Sequence, residues 1–352
     1  MIRQTTLGGT MKFGLLFGMR NPEQWRKPYQ QVYEETLEQI RIAESLGFDS
    51  VWMSEHHSAE DGYCPSTLVM AGAAAVQTER ITIGTRLLLL PMHHPVRVAE
   101  DAAVVDVLSN GRFILGMAVG YVPEEYPIFG VNRKNRPSLM DEGIEIIKRC
   151  WTEEKFDFKG KRFKVEGAAV QPKPIQTPHP PIWLGASRGK AIERVAREAD
   201  GFHYVGGAGV YEQFASAMRK YGRDPASIPV FDSRDFWVSE DAEQGWEDAR
   251  EHIFYSYSKY AEWGAAAAVA DGANIDKRHE PATTPEEMRS MADLSGPFVG
   301  TPEQAVDFYR RRQAEVPING TILRIPPGID HEKVVKYLEL LSGEVLPQLA
   351  QD

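Results

Sequence analysis

The chain has 352 residues, enough for one large domain with a substantial core, and its 50 acidic against 40 basic residues give a formal charge of -10. That balance, with no dense Lys/Arg run, argues against nucleic acid or an anionic membrane as a partner. Its two cysteines, Cys64 and Cys150, fit neither a zinc nor a redox spacing, so free thiols in the reducing cytoplasm are expected.

No stretch reaches the roughly 18 uninterrupted apolar residues of a membrane helix, and the opening MIRQTTLGGT is too polar for a signal peptide. A strand-like run starts at Met11, so residues 1–10 read as an N-terminal extension and 11–352 as a single domain. Apolar runs at 12–18, 50–54, 81–88, 112–118, 181–184, 201–205, 229–238 and 321–325 alternate with segments of helical period. Eight such units predict an α/β protein with a closed (β/α)8 TIM barrel. The helix at 32–46 carries Leu37, Ile40, Ile42, Ala43 and Leu46 near 3.6-residue spacing and stops at Gly47, while the helix at 96–108 stops at Ser109-Asn110-Gly111. Residues 151–181 form an insertion before strand five, with a hairpin predicted over 156–165. The segment 255–300, with an Ala run at 265–268 and no clear strand before 321, reads either as a mobile lid over the barrel mouth or as a solvent-facing helical decoration.

Reactive groups in such a barrel sit where strands end. Strand two, Val51-Trp52-Met53, runs into Ser54-Glu55-His56-His57, which puts a carboxylate and two imidazoles at the mouth. Neutral histidine exchanges protons near pH 7; a histidine pair that merely caps the strand by hydrogen bonding is the alternative. No metal is assigned to Glu55, His56 and His57, because neighbours in an extended strand face opposite sides. Strand three is apolar apart from Thr82, Thr85 and Arg86, and the arginine needs either a ligand edge or a carboxylate such as Glu55. Downstream, His93-His94 precede Pro95, which suits a first helical position. Strand four ends Gly116-Met117-Ala118-Val119-Gly120-Tyr121, whose small residues either admit a planar ligand or mark a turn. Strand five ends Leu184-Gly185-Ala186-Ser187-Arg188-Gly189-Lys190 and passes into a helix at 191–199. Open N–H groups, a hydroxyl and two cations suit a phosphate there, with an unliganded Ser N-cap as the alternative. Gly206-Gly207-Ala208-Gly209 lacks dinucleotide spacing and reads as a loop.

The blocks VWMSEHH, GTRLLLLPMHHPVRVAEDAAVVDVLSNGR, RFILGMAVGYVPEEYPIFG, PIWLGASRGKAIERVAREADG and FVGTPEQAVDFYRR resemble the bacterial luciferase-like flavin-dependent monooxygenases. The resemblance implies reduced flavin mononucleotide (FMN) across the mouth, its phosphate at Gly185, Ala186 and Ser187 with charge from Arg188 or Lys190. It places the ring against Arg86, Leu87, Ala118, Val119, Gly120 and Tyr121, with a non-proline cis peptide at or beside Arg86-Leu87. His56 is similar to the family's catalytic histidine and Glu55 to its acidic neighbour beside the flavin. Where luciferase carries a phosphate-binding arginine and a reactive cysteine, this chain has Val119 and Ala118, so light emission is not expected. His57, Tyr63 and Cys64 follow on a loop that either shapes the substrate pocket or simply packs. The implied activity is oxygenation of a small organic molecule by a homodimer, with 71–75 as a small-residue packing face and a separate flavin reductase supplying the cofactor. Two alternatives accompany it. One is a deazaflavin-dependent oxidoreductase of the same barrel, whose phosphate turns are richer in glycine than Gly185-Ala186-Ser187. The other is a non-catalytic flavin-binding protein, against which Glu55-His56 argue.

Overall fold

Strands lie at β1 (Lys12–Phe17), β2 (Ser50–Met53), β3 (Thr82–Thr85), β4 (Leu88–Leu89), β5 (Phe113–Ala118), β6 (Phe156–Lys159), β7 (Lys164–Ala168), β8 (Ile182–Ala186), β9 (Gly201–Tyr204), β10 (Val230–Val238), β11 (Phe298–Gly300) and β12 (Gly320–Arg324) in this computed structural model, which describes residues 11–272, 281–291 and 296–349. The expected extension 1–10 and the parts 273–280 and 292–295 of the expected lid lie outside the described residues. Pairing runs β1, β2, β3, β5, β8, β9, β10, β12 and back to β1, every rung parallel, which closes the predicted TIM barrel. Strand three is split: a cis peptide joins Arg86 to Leu87, and β4 resumes the pairing with β5 beyond it. β6 and β7 form an antiparallel hairpin within the insertion.

Around the barrel run α1 (Tyr29–Ser45), α2 (Thr67–Gln77), α3 (Pro95–Leu108), α4 (Glu125–Ile128), α5 (Arg136–Thr152), α6 (Gly189–Glu198), α7 (Ala208–Lys220), α8 (Ala242–Ala270), α9 (Pro285–Met291), α10 (Pro302–Glu315) and α11 (His331–Leu340). Three readings need correction. β10 spans 9 residues and changes partner along its length, so its last part, Phe236–Val238, pairs with β11, a strand not foreseen before 321. Three half-exposed or glycine residues show no readable period. Residues 206–209 are only partly a loop, since Gly207 caps α7 and Ala208 and Gly209 lie in its first turn. Finally, Ala71, Ala74 and Ala75 are buried inside the subunit; the outward residues of this face are Val69 and Val76, beside Val104, Val107 and Leu108 of α3. The first part of 255–300 is the continuation of α8, a 29-residue helix whose N-cap Asp241 accepts from Gln244 N.

Period-two alternation sorts each strand between two cores. Leu15 and Phe17 pack outward beneath the helices, whereas Leu16 turns to the axis and meets Trp52, Ile114, Trp183, Phe231 and Ile322. Trp52 sits where Gly84 has no side chain: a Cβ there would lie 2.2 Å from the indole. The barrel is thus filled below, and ligands have access from its C-terminal mouth. Cys64 and Cys150 are both buried and unpaired. Among the described residues no helix is long and apolar enough to cross a membrane.

Arg112 ties the barrel's third unit together. Its Nη1 donates to Ile81 O at 2.7 Å, its Nη2 to Ala75 O at 3.0 Å and Thr78 O at 2.8 Å, and its Nε to Ser109 O at 2.7 Å. Arg112→Ala leaves these carbonyls to find water at a half-covered site, and should lower unfolding free energy by about 3 kcal/mol. A lower urea midpoint with unchanged slope is the expected readout; a loss below about 0.5 kcal/mol, the range of an ordinary surface change, would contradict it.

Candidate active site

Just beyond β2 the side chains of Glu55 and His57 meet each other while that of His56 meets Glu125. The Glu55 side chain, 1% exposed, turns away from the mouth. Its Oε1 accepts from His57 Nε2 at 3.1 Å, His93 Nε2 at 2.8 Å and Leu89 N at 3.1 Å, and its Oε2 from Thr67 Oγ1 at 3.0 Å. Burial opposes its charge, but the bonds from His57 and His93 outweigh it and hold the carboxyl at about 2. Glu55, His57 and His93 also bring three ligand-type atoms within 4.8 Å of one another. His56 stays outside that trio, and each imidazole in it is hydrogen bonded to the carboxylate. Glu55 does not meet Arg86, whose Nη2 donates to Ser233 Oγ at 2.7 Å while its Nε is buried without a partner. Burial pushes the Arg86 guanidinium down to about 10, with the charge on Arg324 adding to the effect.

His56 faces the mouth. Its Nδ1 lies 2.9 Å from Glu125 Oε1, and the same oxygen accepts from His57 N at 2.9 Å. Because a carboxylate only accepts, Nδ1 is the donor in this bond. Among the described residues Nε2 has no hydrogen-bond partner. The ring is boxed by Trp263 at 4.4 Å, Tyr63 at 4.8 Å, Tyr121 at 5.8 Å and Tyr260 at 6.2 Å between centroids. Tyr260 and Trp263 come from α8, so the segment 255–270 covers the imidazole. Glu125 was not foreseen; it lies in the quoted block YVPEEYPIFG, but nothing in sequence order says which histidine an acid meets.

Tyr121 thus joins His56, and Ala118, Val119 and Gly120 form the turn leading to it, pinned by Tyr126 Oη donating to Val119 O at 2.7 Å. Leu87 crosses to Gly185 so closely that a Cβ on Gly185 would sit 2.2 Å from Leu87 Cδ1, so any side chain there would push the Leu87 tip aside. Ala186 is buried, whereas Ser187, Arg188 and Lys190 are exposed at the rim. Arg188, not Ser187, holds the N-cap of α6, which begins at Gly189 rather than 191 and has no side-chain cap. Its first N–H groups are open. Arg188 Nη2 lies 3.9 Å from Asp271 Oδ2 at the end of α8, and Arg133 and Arg136 reach the same carboxylate at 2.7 and 3.2 Å. Two further cations, Arg133 and Arg136, therefore belong to this rim; the run Asn132-Arg133-Lys134-Asn135-Arg136 was the available signal.

The model of the luciferase-like monooxygenases matches residues 11–316, and the chain belongs to that family. It is 25% identical, over 97% of its length and 96% of the relative's, to the oxygenase component of the flavin-dependent trigonelline monooxygenase of Acinetobacter baylyi. It is also 27% identical, over 87% of its length and 92% of the relative's, to the F420-dependent glucose-6-phosphate dehydrogenase of Amycolatopsis mediterranei. The oxygenating constituent of 3,6-diketocamphane monooxygenase of Pseudomonas putida, solved in complex with FMN, shares the fold with a TM-score of 0.78 at 20% identity, covering 96% of this chain and 98% of that one.

The depressed Glu55 carboxyl links stability to pH. Its folded value of about 2 lies below the ordinary 4.5, so its contribution is full above pH 4.5 and is lost as pH falls through the folded value. The shift corresponds to something on the order of 3 kcal/mol. Glu55→Gln should be less stable by that order at pH 7 and converge with the unmodified protein towards pH 2. Parallel pH profiles for the two proteins would contradict the assignment.

Proposed function

We propose that this protein is the oxygenase of a two-component system, oxygenating a small organic substrate with reduced FMN supplied by a separate flavin reductase. The observation that carries this reading is His56, whose Nε2 has no hydrogen-bond partner among the described residues, in a boxed barrel mouth beside a helix N-terminus that lacks a cap. Reduced FMN, when bound, supplies the electrons that activate oxygen. The residues present fit it: the uncapped start of α6 with Ser187, Arg188, Lys190, Arg133 and Arg136 suits a phosphate. Arg86, with its orphaned buried Nε, suits the polar edge of the ring, and Leu87 with Gly185 leaves a flat wall.

The chain's own groups then divide the work. His56 Nε2 takes up or returns a proton at the reacting group, and Glu125 fixes the ring and stabilises its charged form. Tyr260 and Trp263 of α8 exclude water. Glu55 is a positioning residue: it holds β4 through Leu89 N and braces His57 and His93. A deazaflavin would use the same anion site, and parallel titration of FMN and a deazaflavin into the protein separates the two readings. A homodimer through Val69 and Val76 of α2 with Val104 and Leu108 of α3 would cover the exposed apolar face.

His56→Gln should cut product formed per reduced FMN by roughly 10²- to 10⁴-fold and leave FMN affinity within about twofold, since the imidazole serves the chemistry and not the phosphate. Unchanged turnover would remove the residue from its role. Light scattering should find dimers of the unmodified chain and monomers of Val69→Asp/Val76→Asp, since charges are depleted from interface cores; a monomer before substitution would sink the dimer.

A further inference from the structure

The wall behind His56 carries a cluster with its own chemistry. The turn after β2 supplies Glu55 and His57, and the stretch between β4 and α3 supplies His93. Glu55 Oε1 lies 3.1 Å from His57 Nε2 and 2.8 Å from His93 Nε2, and one ligand-type atom from each of the three side chains falls within 4.8 Å of the others. Both distances to Oε1 are near the spacing of ligands that share one ion, since two atoms each about 2.1 Å from zinc lie roughly 3 to 3.5 Å apart.

Charge and hydrogen bonding point the same way. Glu55 is buried, and among the described residues its ion-pair partners are the two imidazoles, with no Lys or Arg in range. A buried carboxylate needs a compensating charge, and an imidazole supplies a full one only when protonated. Oε1 is also crowded: His57, His93 and Leu89 N are three donors on an oxygen with two lone pairs. A cation between the carboxylate and the rings removes both difficulties. It takes one lone pair of Oε1, leaves the other to Leu89 N, and receives the Nε2 lone pair of each ring once the ring proton has passed to Nδ1.

The three side chains are also held in place. Glu55 Oε2 accepts from Thr67 Oγ1 at 3.0 Å, and Phe129 lies against the His57 ring with 4.5 Å between centroids. Contacts of this kind orient metal ligands. The His93 side chain is 29% exposed, and His57 lines a cavity of about 350 Å³, so an ion has a way in and water has a place on it. We infer that Glu55, His57 and His93 bind one divalent transition ion of the zinc class, with water completing its coordination. Two nitrogens and one oxygen suit zinc and its neighbours, whereas magnesium and calcium take oxygen. His56 stays off the ion because its Nδ1 is engaged by Glu125. The ion clamps the end of β2 to the segment before α3 and serves the fold.

Equilibrium dialysis of the chelator-treated full chain against zinc tests it, with bound metal measured by mass spectrometry. One zinc per chain should bind with a Kd on the order of 1 μM or tighter, and X-ray absorption of the bound zinc should show nitrogen and oxygen ligands only. His93→Gln keeps an N–H for Glu55 but removes a ligand, so it should fold normally by circular dichroism and lose at least about tenfold in zinc affinity. His57→Gln should lose as much and serves if the first variant misfolds. His331→Gln, on α11 beside Glu38, should lose nothing. Zinc should raise the urea midpoint of the unmodified chain and leave that of His93→Gln where it was. Uptake only above about 100 μM, equal uptake by the His93 and His57 variants, loss in His331→Gln, or a sulfur ligand each overturns the inference. Because no FMN enters these measurements, their outcome is independent of the flavin reading.

Discussion

One carboxylate oxygen, Glu125 Oε1, accepts from both the His56 ring and the His57 main chain, each at 2.9 Å. That shared contact sets the path of the chain as it leaves β2 and makes Nδ1 of His56 a donor. If Glu125 released either donor, Nε2 of His56 would lose its bearing on the mouth. On the far side of the same strand Glu55 does comparable work, holding His57, His93 and β4. The two acids divide cleanly: Glu125 orients the imidazole of His56, and Glu55 braces the wall behind it.

The mouth is also an electrostatic device. Arg20 and Arg86 are buried and Arg324 is half-buried, and rings from the loop after β2 and from α8 pack on Arg20 and Arg324. In so dry a setting every unmade hydrogen bond weighs more than it would in water. The orphaned nitrogens of these arginines therefore say more about ligands than the many exposed ion pairs on the outer helices, which are worth little individually. At the rim Arg133, Arg136 and Arg188 gather on Asp271, so the start of α6 and the end of α8 share one cluster. α8 consequently touches both the rim, through Asp271, and His56, through Tyr260 and Trp263.

Much of this architecture was legible beforehand. All eight barrel strands show in the sequence because each has helices on one face and the barrel interior on the other, and so reads as an apolar run. The family blocks led to His56, Tyr121 and the Arg86-Leu87 cis peptide. What sequence order could not supply were pairings between elements far apart in the chain: His56 with Glu125, Arg86 with Ser233, and Arg133 and Arg136 with Asp271. Arg20 escaped for a related reason. It follows a strand in which nothing marks an arginine as buried, and its surroundings come from the loop carrying Tyr63 and from α8. β11 was invisible because 3 residues are too few to display a period.

The most direct test of the account is a crystal structure of the protein grown with excess FMN. The account predicts the phosphate on the open N–H groups of α6 within reach of Arg188 and Arg133, and the ring against Leu87 and Ala118 with His56 Nε2 directed at it. A phosphate bound elsewhere, or an imidazole swung out of the mouth with FMN in place, would contradict it.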